Sequence, residues 1–290
     1  MERDRCLWVP LSRLGSMAPL IDYRSPGLFT DVRGVEPAAL RGVATDPVDL
    51  IRPVSRLVIQ PHEAEAAGIA AERLAENQIR PAAVLVERLL AVDAAPLSEP
   101  REAGKRVVGT CRHFAVLACA LLRNAGYAAR ARCGFATYFQ PGQALDHWVI
   151  EYRLDDAAHW IRLDPETLGG SVLPNADDLS PGDFLTGAEA WAAYRRGEVD
   201  GATFGVHGTE NFGPAEIKGN AVRDLAAMNK VETLPWDEWG RMTDAYAGLT
   251  GEDYDALLDE LAAACASDDD RALSELYRDP VFEVPAELLL

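Results

Sequence analysis

Basic residues are scarce in this chain: 28 lysines and arginines stand against 46 aspartates and glutamates, a net charge of −18 over 290 residues. An acidic surface repels nucleic acid and anionic membranes, so neither is expected as a partner. No apolar run approaches the ~18 residues that a membrane-spanning helix needs. Cysteine is sparse and odd in number: Cys6, Cys111, Cys119, Cys133 and Cys265 are scattered, with no C-x-x-C pair. That pattern excludes a disulfide scaffold and a structural zinc site, and reduced thiols imply a cytoplasmic address. There is no P-loop, no G-x-G-x-x-G after a strand, no H-E-x-x-H and no EF-hand loop, so no cofactor and no metal are expected. Internal repeats and low-complexity tracts are missing too.

What is present is an ordinary globular composition, 48% hydrophobic and 26% charged, spread unevenly. Arg13 and Pro10 break up what would have to be the apolar region of a signal peptide, and Met17 stands as an alternative start. Residues 1–60 read as an irregular N-terminal segment, punctuated by Pro19, Pro26, Gly27, Gly34, Pro37, Gly42, Pro47 and Pro53. Residues 61–174 form the expected core. It opens with helix over HEAEAAGIAAERLAENQ and PAAVLVERLLAV, separated by Pro81. Residues 175–290 read as a mostly helical region whose last forty positions hold twelve acids and two bases. Those acids are expected to form solvated helix faces, or to receive a basic partner.

Within the core, Thr110 opens an amphipathic helix. Phe114, Leu117, Ala118, Leu121, Leu122 and Ala125 recur at the spacing of one buried face, and Asn124 and Gly126 close it. Strands are expected at Ala128–Phe139, His147–Leu154 and His159–Asp164. Together these elements make an α+β fold.

Cys111 falls in the first turn of that helix. Unpaired N–H groups and the helix dipole at this position lower a thiol pKa and favour the nucleophilic thiolate; a plain buried cysteine is the alternative. A hairpin turning at Asp155-Asp156 sets Ile150 opposite Ile161, Trp148 opposite Leu163 and His147 opposite Asp164. Directly opposed Cβ atoms lie ~5 Å apart, within reach of a carboxylate–imidazole hydrogen bond. Cys111, His147 and Asp164 then form a nucleophile, a proton carrier and an orienting carboxylate. The backbone N–H of Cys111 is the expected oxyanion donor, with a second donor unnamed. His113 projects to the wrong side of the helix to serve as base. Asp146 is adjacent to His147 but on the opposite strand face. His62 and His207 read as loop residues. His159 is expected across from Tyr152. Cys119, Cys133, Cys265, Trp191, Trp236 and Trp239 read as packing residues. Arg112, Arg130, Arg132 and Arg162, with Trp148, are candidate substrate-binding residues, the arginines suited to a carboxylate or phosphate; a salt-bridged strand face is the alternative.

At these residues the chain resembles the transglutaminase-like superfamily. GTCRHFAVLACALLRNAGYAARARCGF, DHWVIEY and WIRLDP are similar to its three core blocks in order and character, over residues 109–165. The resemblance implies a papain-like α+β core, a helix packed on an antiparallel sheet, with Cys111, His147 and Asp164 as its triad. It implies cleavage of an amide or peptide-type bond in a peptide, protein, small amide or thioester substrate, through a thioester acyl-enzyme. Transfer of the acyl group to an amine is the second expectation, and a binding or assembly protein on the same fold the third.

Overall fold

The computed structural model describes residues 20–40, 44–154 and 159–290. The alternative start at Met17 and the turn at Asp155-Asp156 lie outside them.

Proline and aspartate chemistry shapes the N-terminal part more firmly than its irregular texture suggests. Asp46 caps helix α1 (Pro47–Ile51), its Oδ1 accepting from the Val48 and Asp49 N–H groups at 2.9 and 3.1 Å, and Pro47 takes the first helical position, where no N–H is needed. A 3-10 turn, Arg52–Arg56, leads to strand β1 (Val58–Ile59). The expected helix over residues 61–77 is replaced by two 3-10 segments, Pro61–Glu63 and Ala71–Gln78. Gly68 lies between them at φ +71°, a left-handed conformation that an α-helix cannot pass through. Helix α2 (Ala82–Val92) then begins after Pro81, as its periodicity predicts. Strand β2 (Val107–Val108) pairs in parallel with β1 and delivers the chain to helix α3 (Cys111–Asn124).

Helix α3 is buried from Cys111 to Arg123, not along one face alone. A helix apolar enough to be covered all round sits at the centre of a domain. Its one side meets β3 (Ala128–Ala136) and β4 (Ala144–Arg153), and α1 and α2 cover the other. Gly126, at φ +91°, makes the turn out of it. Beyond β4 come β5 (Ile161–Leu163), β6 (Phe184–Thr186), α4 (Gly187–Arg195), β7 (Phe204–Gly205), α5 (Pro214–Met228), α6 (Met242–Tyr246), α7 (Glu252–Ser267) and α8 (Asp270–Tyr277).

The sheet runs β5-β4-β3-β6, antiparallel throughout, with β7 added in parallel beside the start of β4. This is an α+β architecture, with α3 on one side of the sheet and α4 and α5 on the other. The sheet therefore crosses the boundary expected near 175. Strand β3 is central and needs a partner on its free edge, which residues 184–186 supply. Two large apolar clusters result, one around α3 and the second among α4, α5, α7 and α8, with a small third at Ile59, Ala64, Ile69 and Val108.

The hairpin differs from its expected register. Ile150 opposes Leu163 and Tyr152 opposes Ile161, a slip of two residues. The connection from Leu154 to Trp160 is longer than the tight turn assumed, and the strands pair further from it. A two-residue slip keeps every side chain on its face, where one residue would have flipped them all. His159, consequently, lies outside the strand and exposed rather than across from Tyr152.

Candidate active site

Three elements converge at the N-terminus of α3. Cys111 occupies the first helical position after Thr110, which adopts extended backbone as an N-cap. His113 supports that cap: its Nδ1 accepts from the Thr110 N–H at 3.0 Å, the role a glutamate usually takes at this position. Burial, with the Arg112 charge beside it, pushes His113 down to about 3, so the ring is neutral and structural.

His147 comes from β4, where it pairs with Gly134 of β3. Continued by one residue, the β4–β5 register sets Val149 opposite Asp164, so His147 and Asp164 are diagonal neighbours on one face. The histidine reaches across that diagonal: its Nε2 lies 3.2 Å from Asp164 Oδ2. The Cys111 thiol interacts with the same ring, each shifting the other's proton affinity. Cysteine, histidine and aspartate are thus brought together, 7%, 2% and 0% exposed.

Asp164 is held by more than the histidine. Tyr138 Oη and Thr167 Oγ1 each donate to its Oδ2 at 2.7 Å, and the Glu166 N–H donates to Oδ1 at 2.9 Å. Burial alone would raise this carboxyl, but the His147 charge and the hydrogen bonds hold it below its ordinary value. Burial likewise works against charge on His147, yet the charge and hydrogen bond of Asp164, with the contact to Cys111, hold the imidazole well above its ordinary range. For Cys111 the balance goes against the simple helix-dipole expectation: burial pushes the thiol up, and the hydrogen bond and charge of His147 only pull part of the way back. Cys111 and His147 act as one coupled pair. Asp164 favours the proton on the imidazole, and the dry surroundings resist the separated charges.

Five further residues in this neighbourhood were not singled out as site residues in the sequence. Tyr138 and Phe139 follow β3, and the Phe139 ring stands 5.0 Å from the His147 ring, centroid to centroid. Glu166 accepts the Gln60 side-chain amide on both carboxylate oxygens at 2.9 Å. Thr167 alone had a local signal, since it sits three residues beyond Asp164 in a turn that Pro165 initiates. Tyr138 and Gln60 arrive from distant segments and carried none.

The candidate substrate-binding residues lie in the interior or in ion pairs. Arg112 is fully buried and donates to the carbonyls of Glu232 and Arg80. Arg130, Arg132 and Arg162 surround Glu151, at 2.7 Å from Arg130 Nε, 2.9 Å from Arg132 Nη1 and 3.0 Å from Arg162 Nε. Arg132 also makes a two-pronged pair with Asp224 of α5, both contacts at 2.8 Å. Asp268, from the acidic C-terminal part, closes on Arg130. These guanidinium groups join the sheet to the helices behind it and present no free face. Trp148 is wholly buried in the core around α3. Asp146 turns away from the site to accept from Asn220 at 2.7 Å. Trp191 and Trp239 are buried and Trp236 is 43% exposed.

Residues 91–165 match the model of the transglutaminase-like superfamily. That segment begins within α2, ends one residue beyond Asp164 and includes all three converging side chains. Members of this superfamily are typically cysteine-dependent acyltransferases or hydrolases. No curated protein and no solved structure is a significant match. Among the described residues there is no helix long and apolar enough to cross a membrane and no group of side chains suited to a metal ion.

Proposed function

We propose that this protein is a cysteine-dependent acyl-transfer enzyme that cleaves an amide or peptide-type bond through a thioester, with Cys111, His147 and Asp164 as its catalytic residues. The observation that carries the reading is the position of His147, electrostatically coupled to the Cys111 thiol on one side and with its Nε2 3.2 Å from Asp164 Oδ2 on the other. Its Nε2 edge is turned to the carboxylate, which leaves Nδ1 to serve the sulfur.

In the proposed cycle His147 takes the thiol proton as Sγ attacks the substrate carbonyl carbon. The carbonyl electron pair moves to oxygen, where the Cys111 N–H, without an intrahelical acceptor at the first helical position, donates to it. Collapse expels the amine, which leaves with the proton from His147, and a thioester remains on Cys111. Water, deprotonated by His147, then attacks the thioester and restores the thiol.

A second acceptor has an observation in its favour. The three side chains are almost sealed from solvent and Phe139 packs on the imidazole. A site that excludes water lets an amine compete for the thioester, giving amide formation.

The test is acylation by a p-nitrophenyl ester followed by mass spectrometry of peptides. One acyl group should appear on Cys111 and not on Cys119, Cys133 or Cys265, and His147→Ala should slow its appearance by ~10²-fold or more. Adding hydroxylamine or a primary alkylamine then measures how the thioester divides between water and amine. Acylation at other cysteines, or a rate indifferent to His147, would remove the enzymatic reading; activity in a cellular assay surviving Cys111→Ala would favour a binding role.

A further inference from the structure

A cavity of about 510 Å³ opens beside the site, with Arg52, Ser55, Arg56, Ser98, Glu166 and Gly169 among the residues that line it. Its volume is that of small-molecule pockets, roughly 300–1,000 Å³. One wall is the 3-10 turn Arg52–Arg56, which sets two guanidinium groups on the same opening. Arg52 is shared with Asp49 at 3.3 Å, an exposed pair of little strength. Arg56 is exposed and has no acidic partner among the described residues. Its charge is felt by Arg106, and its carbonyl accepts the N–H of buried Arg101, whose Nε and Nη1 are themselves without hydrogen-bond partners. Two arginines thus share the opening with Asp49, which pairs with Arg52, and with Glu166, and Arg56 is the lining cation without an acidic partner among the described residues. Gly169, at φ +78°, lies next to the Arg52 guanidinium, where a Cβ would stand in ordinary contact at 3.7 Å from Nη1.

Glu166 belongs to both the cavity and the site. Its backbone N–H holds Asp164, its charge acts on Cys111, and its carboxylate is clasped by Gln60. Burial pushes Glu166 up to about 7, so near neutrality it repels an anion less than a surface carboxylate would.

We infer that this cavity is the subsite for an anionic group, a carboxylate or a phosphate, on the substrate whose acyl carbon reaches Cys111. Arg56 receives it in a two-pronged contact, with Arg52 and the Ser55 hydroxyl beside it, and Glu166 with Gln60 forms the wall between the anion and the thiol. The assignment as a substrate subsite rests on the acyl-transfer reading above; the binding of an anion does not.

Calorimetric titration of the full chain with glutarate, inorganic phosphate and neutral glutaramide tests it. Glutarate or phosphate should bind saturably and glutaramide should not. Arg56→Gln should weaken that binding by about tenfold or more, the loss of a charge-assisted contact, and Arg56→Lys by less. Tighter binding of phosphate points to a phosphorylated substrate, tighter binding of glutarate to a carboxylate. The bound anion should also slow alkylation of Cys111 by iodoacetamide. No saturable anion binding, or equal binding in Arg56→Gln, overturns the site. Arg56-dependent binding that leaves Cys111 alkylation untouched overturns its place in the reaction. Failure of Cys111 to acylate, with Arg56-dependent binding intact, counts against the enzymatic reading instead.

Discussion

Asp164 is the side chain on which the electrostatics of the site turn. It takes hydrogen bonds from Tyr138, Thr167 and the Glu166 backbone, and faces His147 with the same Oδ2 that accepts from Tyr138 and Thr167. Asp164→Asn keeps one acceptor oxygen, for Tyr138 and Thr167 or for the Glu166 N–H but not for both, and removes the charge. The His147 pKa, held well above its ordinary value by that charge, should fall, and nitrogen NMR of the ring across a pH titration would register it. Acylation of Cys111 should slow by ~10²–10⁴-fold, the usual worth of a positioned proton carrier, while the folded spectrum is retained. A His147 titration unmoved by the substitution would dissociate the carboxylate from the histidine. Tyr138→Phe, by contrast, removes one donor to a carboxylate with others to spare, and its stability cost should be about 1–2 kcal/mol.

Gly134 shows how an element governs the site. It pairs with His147 on one edge of β3 and with Thr186 of β6 on the other. A Cβ there would stand 2.1 Å from the Leu185 carbonyl oxygen and 2.6 Å from Thr186 Cα, both backbone atoms that cannot rotate away. Gly134→Ala should therefore push β6 off β3, costing about 1–3 kcal/mol or more, and lower the melting temperature by about 2–4 °C for each kcal/mol. Acylation should fall further than unfolding explains, because β3 fixes the strand that carries His147; a variant as stable and active as the wild type would refute the close β3–β6 contact. The elements also mark what could be read in advance. Helix α3 announced itself through the spacing of Phe114, Leu117, Leu121 and Leu122, and Cys111 through its place at the helix start. Both signals are local. The hairpin was found with its faces right and its register two residues off, since alternation fixes the face and only the loop fixes the pairing. Arg130 and Arg132 alternate visibly, but Asp224 and Asp268, which neutralise them, stand some ninety and more residues away. The 3-10 turns of residues 61–78 lacked any helix-period contradiction; Gly68 decided them.

At the scale of the molecule, two sets of carboxyl groups have effects on stability that oppose one another. Asp164, Glu151, Glu76 and Glu189 are pulled below their ordinary values: burial resists this, but the charges and hydrogen bonds of the neighbouring arginines, and of His147 for Asp164, prevail. A depressed acid contributes stability that is present above its unfolded pKa of about 4 and is lost as pH falls through the folded value. Glu166 and Glu216 are pushed up to about 7 by burial. The folded state holds those two protons more tightly than the unfolded chain, so stability declines as pH rises from about 4.5 to 7. His147, raised in its turn, contributes fully below about 6.5 and loses that contribution as pH climbs through its higher folded value. The two sets leave a maximum on the acid side of neutrality, near pH 5, and not at pH 7–8. Urea unfolding between pH 3 and 9 should trace that maximum. Glu216 lies away from the triad, near Tyr246 and Arg223, so Glu216→Gln isolates the effect: it should flatten the decline between pH 5 and 7 by about 1–3 kcal/mol without altering acylation of Cys111. An unchanged slope in that variant would mean that Glu216 ionises freely in the folded protein. The acidic C-terminal part is then more than a solubility device, since its Asp268 closes on Arg130 and its helices pack in the apolar cluster of α4 and α5, the helices that carry Glu189 and Glu216.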